Sequence, residues 1–435
     1  MTREEFAEKI RIGHNLGNAL ECIQPICGNG VKTIIEYDVT DINGFHDWRI
    51  TMQYPEGDYA YFYDFESIWS NVPVTAGWFE MLADAGVQAI RIPINLCAHL
   101  TNSVPVTIDP KWLARIREVI DMCNNAGMIA ILTLHTDYVV MYRRGSYLSV
   151  IDPDIHSPEN DGVGRLMTLW KIMAEYVNDI PVDKLAFELN NEFRIFDFDD
   201  KELGDEQHNF TFDDKARIAS RLNKYLFDAV RSVGGNAADR FILIGNYGNN
   251  TDCGRQIFID TFKEYFDDKC LVTACYYCPW EFAVTAVFSS WEQGPEIKEL
   301  MERVIQWYVD TAEAAGAPLV VTEYGCGCDE QAMLCKDKFS ICRYIYTVMR
   351  LMNSNGVPAF IWDPGYILKR NTNEYGIPFW REMLRAVYFG EPFDMYEEYT
   401  EHSSEIDFGR LIKVERNITL EDIQALDNIT ESEEV

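Results

Sequence analysis

Residues 86–137 read GVQAIRIPINLCAHLTNSVPVTIDPKWLARIREVIDMCNNAGMIAILTLHTD. The stretches at its two ends, Gly86 to Asn95 and Gly127 to Asp137, are nearly continuous apolar runs that turn polar only at their C-terminal ends. Runs of this kind suit strands of a parallel sheet, which is covered on both faces. Between them, Pro110 to Ala126 carries apolar residues at helical spacing and closes on Asn and Gly, the usual C-terminal stop. The segment therefore predicts one strand, a crossover helix and a second strand parallel to the first.

The same unit recurs on both sides. Upstream lies Arg11 to Gly17 (RIGHNLG); downstream lie Lys184 to Glu192 (KLAFELNNE), Arg240 to Tyr247 (RFILIGNY), Cys270 to Tyr277 (CLVTACYY), Pro318 to Gly325 (PLVVTEYG) and Val357 to Asp363 (VPAFIWD). Helical patterns separate them at Val163 to Tyr176, Lys215 to Val233, Glu296 to Ala315 and Lys336 to Met352. Eight strand-then-helix units predict an α/β fold, a (β/α)8 TIM barrel over residues 1–390, in preference to a doubly wound sheet of as many strands.

Two regions stand outside the pattern. Residues 23–66 form a long aromatic-rich insertion after the first strand, with strand-like alternation around Pro55 and with Trp48, Tyr54, Tyr59, Tyr61 and Tyr63 among its rings. Its position predicts that it rises from the C-terminal face of the barrel, beside the active site. Residues 391–435 are an acidic C-terminal appendage, expected to pack partly on the barrel, with one amphipathic stretch at Leu420 to Leu426.

Composition narrows the function. With 47% hydrophobic and 25% charged residues the chain has the makings of an ordinary folded core. A formal net charge of −32 repels phosphates, so nucleic acid and anionic membranes are excluded as partners and a neutral or cationic substrate is expected. No apolar run has the length of a membrane span. The start, MTREEFAEKIRIG, lacks the features of a signal peptide, so a cytoplasmic location is expected if Met1 is native and secretion if a signal peptide was trimmed. The twelve cysteines are scattered through apolar segments, such as those of Cys97, Cys123 and Cys342, and read as reduced core residues.

In a barrel of this type the chemistry sits at the C-terminal strand ends. Two of those ends carry a glutamate in an otherwise apolar run: Glu192 after the fourth strand and Glu323 at the end of the seventh. Paired buried carboxylates also serve as structural devices, and Arg91 on the second strand supplies a cation for one of them. Two glutamates at one mouth are, however, what a retaining glycosidase needs: one carboxyl protonates the leaving oxygen while the other attacks the anomeric carbon, from a separation of about 5 to 5.5 Å. Cysteines at the same end offer a competing zinc reading, Cys275 and Cys278 after the sixth strand with Cys326 and Cys328 after the seventh. The C-x-C half is unusual for zinc and a closed metal site would obstruct the cleft, so these too are read as thiols and no metal is expected.

The motifs resemble those of glycoside hydrolase family 5, in its cellulase-like branch. GHNLGNALEC resembles the first-strand motif GWNLGNTL, IWSNVPVT the segment leading into the first helix, and GVQAIRIP the second strand with its arginine. TLHTD resembles the third-strand histidine motif, LNNE the Asn-Glu pair, VVTEYG the nucleophile motif and FIWDPG the tryptophan motif. The resemblance runs in order over residues 12 to 390. It implies Glu192 as acid/base, Glu323 as nucleophile, Asn191 as donor to the sugar 2-hydroxyl, Arg91 and Tyr277 as partners of Glu323, Trp362 as a platform for the sugar before the cleavage point, and His135 as part of the same pocket. Asn18 and His14, in the first-strand motif, are implied as supporting residues. No metal or organic cofactor is implied.

Departures from the family pattern are His14 for tryptophan, Leu96 for an aromatic residue, Thr136 for the second histidine of the third strand, Phe193 for proline after the acid/base, and Cys275 for the histidine of the sixth-strand His-x-Tyr. The groups that act in the transition state are intact. The expectation is a monomeric retaining β-glycosidase, endo-β-1,4-glucanase-like, acting on a neutral carbohydrate, with a non-catalytic carbohydrate-binding barrel as the alternative.

Overall fold

The computed structural model describes residues 1–22, the strands 32–40 and 46–53, and residues 73–103, 105–135, 137, 147–194, 210–285, 290–291, 294–326 and 336–408. Eight parallel strands close into a barrel: β1 (Ile12–Asn15), β2 (Ala89–Ile94), β3 (Ile129–Leu134), β4 (Leu185–Glu188), β5 (Ile242–Gly245), β6 (Cys270–Tyr276), β7 (Leu319–Tyr324) and β8 (Ala359–Ile361). Each strand neighbours the next in sequence, and β8 returns to pair with β1. Every apolar run of the sequence holds one of them, but the strands are shorter than the runs. The run ends belong to loops, where the polar residues lie.

A helix of ten or more residues follows each strand: α1 (Ala76–Ala85), α2 (Pro110–Asn125), α3 (Gly162–Tyr176), α4 (Phe212–Arg231), α5 (Arg255–Tyr265), α6 (Pro295–Ala315), α7 (Lys338–Ser354) and α8 (Trp380–Phe389). Their starts are fixed by side chains that take up free backbone N–H groups: Asp109 before α2, Asp161 before α3, Thr211 with Asp214 in a reciprocal box before α4, and Asp337 before α7.

The alternation along each strand sorts the residues into two cores. Ala89, Ile131, Ala186, Leu243, Leu271, Val320 and Phe360 fill the barrel interior. Their neighbours, such as Ile90, Leu132, Phe187 and Val321, face the helix ring. A helix at Arg3–Lys9, not anticipated from the sequence, supplies Phe6 and Ile10 to the interior cluster, with Phe6 stacked on Phe241 at 4.1 Å between ring centroids. It closes the barrel at the end opposite the chemistry.

The insertion after β1 contains an antiparallel pair, Lys32–Thr40 with His46–Gln53. Tyr54, Tyr59, Tyr61 and Tyr63 lie outside the described residues. After α8 the chain forms a short helix, Met395–His402, and then buries Ile406 and Phe408. Asp407 N–H donates to the Gly376 carbonyl at 2.9 Å, and its carboxylate meets Lys369 at 2.6 Å. Residues 409–435, including Leu420 to Leu426, lie outside the described residues.

Candidate active site

Arg91 is the centre of the site. It sits on β2 two residues after Ala89, so the strand period turns it into the barrel, where it is fully buried. Its guanidinium uses three nitrogens: Nε donates to Glu188 Oε2 (2.5 Å), Nη1 to Glu323 Oε1 (2.7 Å) and Asn15 Oδ1 (3.0 Å), and Nη2 to Asn191 Oδ1 (2.7 Å). Burial works against its charge, but Glu188 and Glu323 outweigh that and hold it protonated. The planar fork thus ties together residues from β1, β4 and β7, and no lysine could do so.

Glu323 reaches this fork through an irregularity. Ala274 of β6 pairs with Val321 of β7, but the next pair is Cys275 with Glu323, so Thr322 is an extra residue. Simple alternation from Val320 would send Glu323 outward among the helices. The bulge turns it inward, a common use of bulges beside active sites. Thr322 remains inside as well, its hydroxyl 2.7 Å from that of Thr273. Tyr277 O–H donates to Glu323 Oε2 at 2.9 Å. Burial, then Glu192 and Glu188, push the Glu323 carboxyl up, to about 7, against the pull of Arg91.

Glu192 comes from the loop after β4, which ends at Glu188, four residues earlier than the apolar run suggested. Its backbone is left-handed (φ 39°), a conformation that non-glycine residues rarely adopt. One carboxylate oxygen of Glu192, one of Glu323 and Cys275 Sγ all lie within 4.8 Å of one another. An inverting pair must stand about 6.5–9.5 Å apart to admit water, so this separation belongs with double displacement. Cys275, in the place of the family's histidine, accepts from Asn249 Nδ2 at 3.7 Å. Burial and both carboxylates push its thiol up, which keeps it neutral.

His135 Nε2 is 3.3 Å from Asn191 Nδ2, and its ring lies parallel to Trp362 (5.2 Å, 13°). An amide nitrogen can only donate, so His135 accepts through Nε2. Burial and the Arg91 charge hold it well below the ordinary histidine range, hence neutral. Trp362 is 8% exposed and is approached by the loop after β1, where a side chain on Gly17 would come within 2.9 Å of the indole.

The structure therefore brings Arg91, His135, Asn191, Glu192, Tyr277, Glu323 and Trp362 together at the C-terminal ends of the strands. It does not bring His14 there. Asn15 is the residue of β1 that points inward, so His14 points outward, edge-on to Trp78 and Trp380, with Nε2 2.9 Å from Asp363 Oδ2. Asn18 has a left-handed backbone (φ 55°), and its carbonyl accepts from Arg370 at 2.8 Å. His99, a further histidine after β2, is buried flat against Trp112 (3.7 Å, 10°). Cys275, Cys278 and Cys326 do not converge on a common point among the described residues, and Cys328 lies outside them, so the four-thiol zinc reading gains nothing.

Sequence reasoning missed Glu188, Asn15 and Asn249. Glu188 had a signal, being a carboxylate in the middle of an apolar strand, and Asn15 stands inside the first-strand motif. Asn249 had none.

Residues 54–366, which hold every site residue from Arg91 to Trp362, match the cellulase family, glycosyl hydrolase family 5. The chain belongs to this family. Endoglucanase B of Neocallimastix patriciarum is 26% identical over 305 residues, 69% of this chain but only 58% of that protein's length. Endoglucanase A of Ruminococcus albus is 25% identical over 310 residues, 70% of this chain and 77% of its own. Among solved structures, a broad-specificity endoglucanase of Clostridium longisporum has a TM-score of 0.66 at 20% identity, covering 90% of this chain and 99% of its own. A family 5 lichenase of a Caldicellulosiruptor species gives 0.66 at 21%, covering 89% and 95%. These likenesses establish the (β/α)8 barrel as the family 5 fold.

Proposed function

We propose that the protein is a retaining β-glycosidase, endo-β-1,4-glucanase-like, that hydrolyses β-linked glucans or related plant polysaccharides and oligosaccharides. The observation that carries this reading is the approach of Glu192 and Glu323 to within 4.8 Å, over an Arg91 that already holds Glu323 and Asn191. Glu323 attacks the anomeric carbon as the bond to the leaving oxygen breaks, and Glu192 gives that oxygen its proton. Water then attacks the glycosyl-Glu323 ester, losing a proton to Glu192 while the Glu323 carboxylate departs. Asn191 Oδ1 is taken by Arg91 and one amide N–H by His135 Nε2, which leaves the other N–H to serve the sugar 2-hydroxyl.

The relatives' names, endoglucanases throughout those cited, support a glucan substrate. A neutral carbohydrate also agrees with the net charge of −32, which disfavours nucleic acid and anionic membranes. We place the working form as a monomer. Among the described residues no helix is long and apolar enough to cross a membrane. The insertion after β1 favours soluble oligosaccharides over insoluble polymer, because it follows a strand whose C-terminal end borders the site.

A purely binding barrel has no observation in its favour. An activated aryl β-cellobioside separates the two readings. Phenol release by the wild type, lost by about 10³-fold or more in Glu323→Ala, is expected. Glu192→Ala should lose far less on this substrate, since a good leaving group needs no proton. No release by the wild type across several aryl glycosides would leave the binding barrel.

A further inference from the structure

Where the family resemblance places a proline after the acid/base glutamate, this chain has Phe193. Proline would fix the backbone angle there and so help to set the glutamate's direction. Here Glu192 is left-handed and needs its surroundings to hold it. The structure supplies a different fixture from the loop after β5. Phe193 is buried between Tyr147 and Tyr247, with ring centroids at 5.4 and 6.3 Å, and its carbonyl accepts from Gly248 N–H at 2.8 Å. Arg194 then lies across Gly248 and turns back, so that Nη2 meets Glu192 Oε2 at 3.3 Å. A side chain on Gly248 would come within 2.8 Å of Arg194 Nε, and its φ of 63° already favours glycine. The loop after β5 is shaped to the arginine.

We propose that Arg194, seated on Gly248, is a positioning residue for Glu192 and does in this chain what the proline does in the family pattern. The proposal rests on the reading of Glu192 as acid/base. Arg194 acts on the glutamate and not on the sugar. As Glu192 gives up its proton to the departing oxygen its carboxylate gains negative charge, and the guanidinium 3.3 Å away stabilises that charge as it develops. The same contact keeps the carboxylate aimed at the cleavage point when it takes a proton from water in the second step.

The test compares two aryl cellobiosides of similar shape, phenyl and 2,4-dinitrophenyl, through kcat/KM, which reports bond cleavage to the first irreversible step. Departure of phenol needs the acid, and departure of dinitrophenol does not. In Arg194→Met, kcat/KM for the phenyl glycoside should fall about tenfold or more while that for the dinitrophenyl glycoside changes less than about threefold. Arg194→Lys should recover most of the loss, and Gly248→Ala, which dislodges the arginine from the other side, should show the same leaving-group dependence. Arg194 is 42% exposed, so its replacement spares the core. Equal losses on both substrates, or no loss on either, would overturn the proposal. A wild type that releases neither phenol fails earlier and overturns the glycosidase reading on which the proposal rests.

Discussion

At the residue scale, one buried cation, Arg91, is shared between two carboxylates. The sequence made Arg91 the keeper of the Glu323 charge; in the structure Arg91 donates to Glu323 and equally to Glu188. Burial is the main reason that Glu323 is pushed up to about 7 in spite of an arginine 2.7 Å away, and Glu192 and then Glu188 add to it. Glu323 must be ionised to attack, so activity should fall as pH drops through this range. Two substitutions should move this acid limb in opposite senses. Glu188→Gln removes a competing negative charge and should shift the limb of kcat/KM to lower pH. Arg91→Met removes the attraction and should shift it upward by about one unit or more, with severely reduced activity. Profiles that stay in place for both would remove the Arg91 network from control of the nucleophile. Motif residues on inward strand positions were legible because residue type and position together limit what they can do. His14 was misplaced because a motif gives identity without direction; counting by twos from Asn15 would have turned it outward.

At the scale of elements, the eight strands and their helices were legible from apolar runs and helical spacing, because a sheet covered on both faces leaves no room for polar side chains. Deviations from regular structure were not. The extra residue at Thr322 turns Glu323, the proposed nucleophile, into the barrel, yet PLVVTEYG has nothing that separates a bulge from a regular strand. The loop after β8 is a second such element. Asp363 is buried and accepts from His14 Nε2 and from the N–H groups of Gly365, Tyr366, Ile367 and Leu368, all at 2.8–3.0 Å. Burial opposes its charge, but His14 and these N–H groups hold its carboxyl below the ordinary range. This accounts for the histidine of β1, which serves the Asp363 turn beside Trp362. Asp363→Ala should therefore cost about 3–5 kcal/mol in urea unfolding, since it strands five donors, four of them buried. A loss below about 1 kcal/mol would show that the turn holds without its carboxylate.

At the scale of the whole molecule, the buried acids favour mildly acidic conditions. Burial pushes Glu21 up to about 7 and Asp137 and Asp161 up to about 6, alongside Glu323. Each group is raised above its unfolded value, so its contribution to stability is complete below the unfolded pKa, near 4, and is lost as pH rises through 6 to 7. Relief of self-repulsion at a net charge of −32 works in the same direction, whereas Asp363 opposes it only at more acidic pH. Calorimetry should accordingly give a higher Tm at pH 5.5 than at pH 7.5, with part of the gap closed by salt; a lower Tm at pH 5.5 would contradict the raised values. What no composition or strand pattern could supply is the distance between the two carboxyls, and the catalytic claim rests on that distance. It is tested most directly by proton NMR of a cellooligosaccharide during the first minutes of hydrolysis, before mutarotation. Double displacement across Glu192 and Glu323 predicts that the β anomer of the new reducing end appears first and relaxes to the equilibrium mixture; an α anomer appearing first would contradict it.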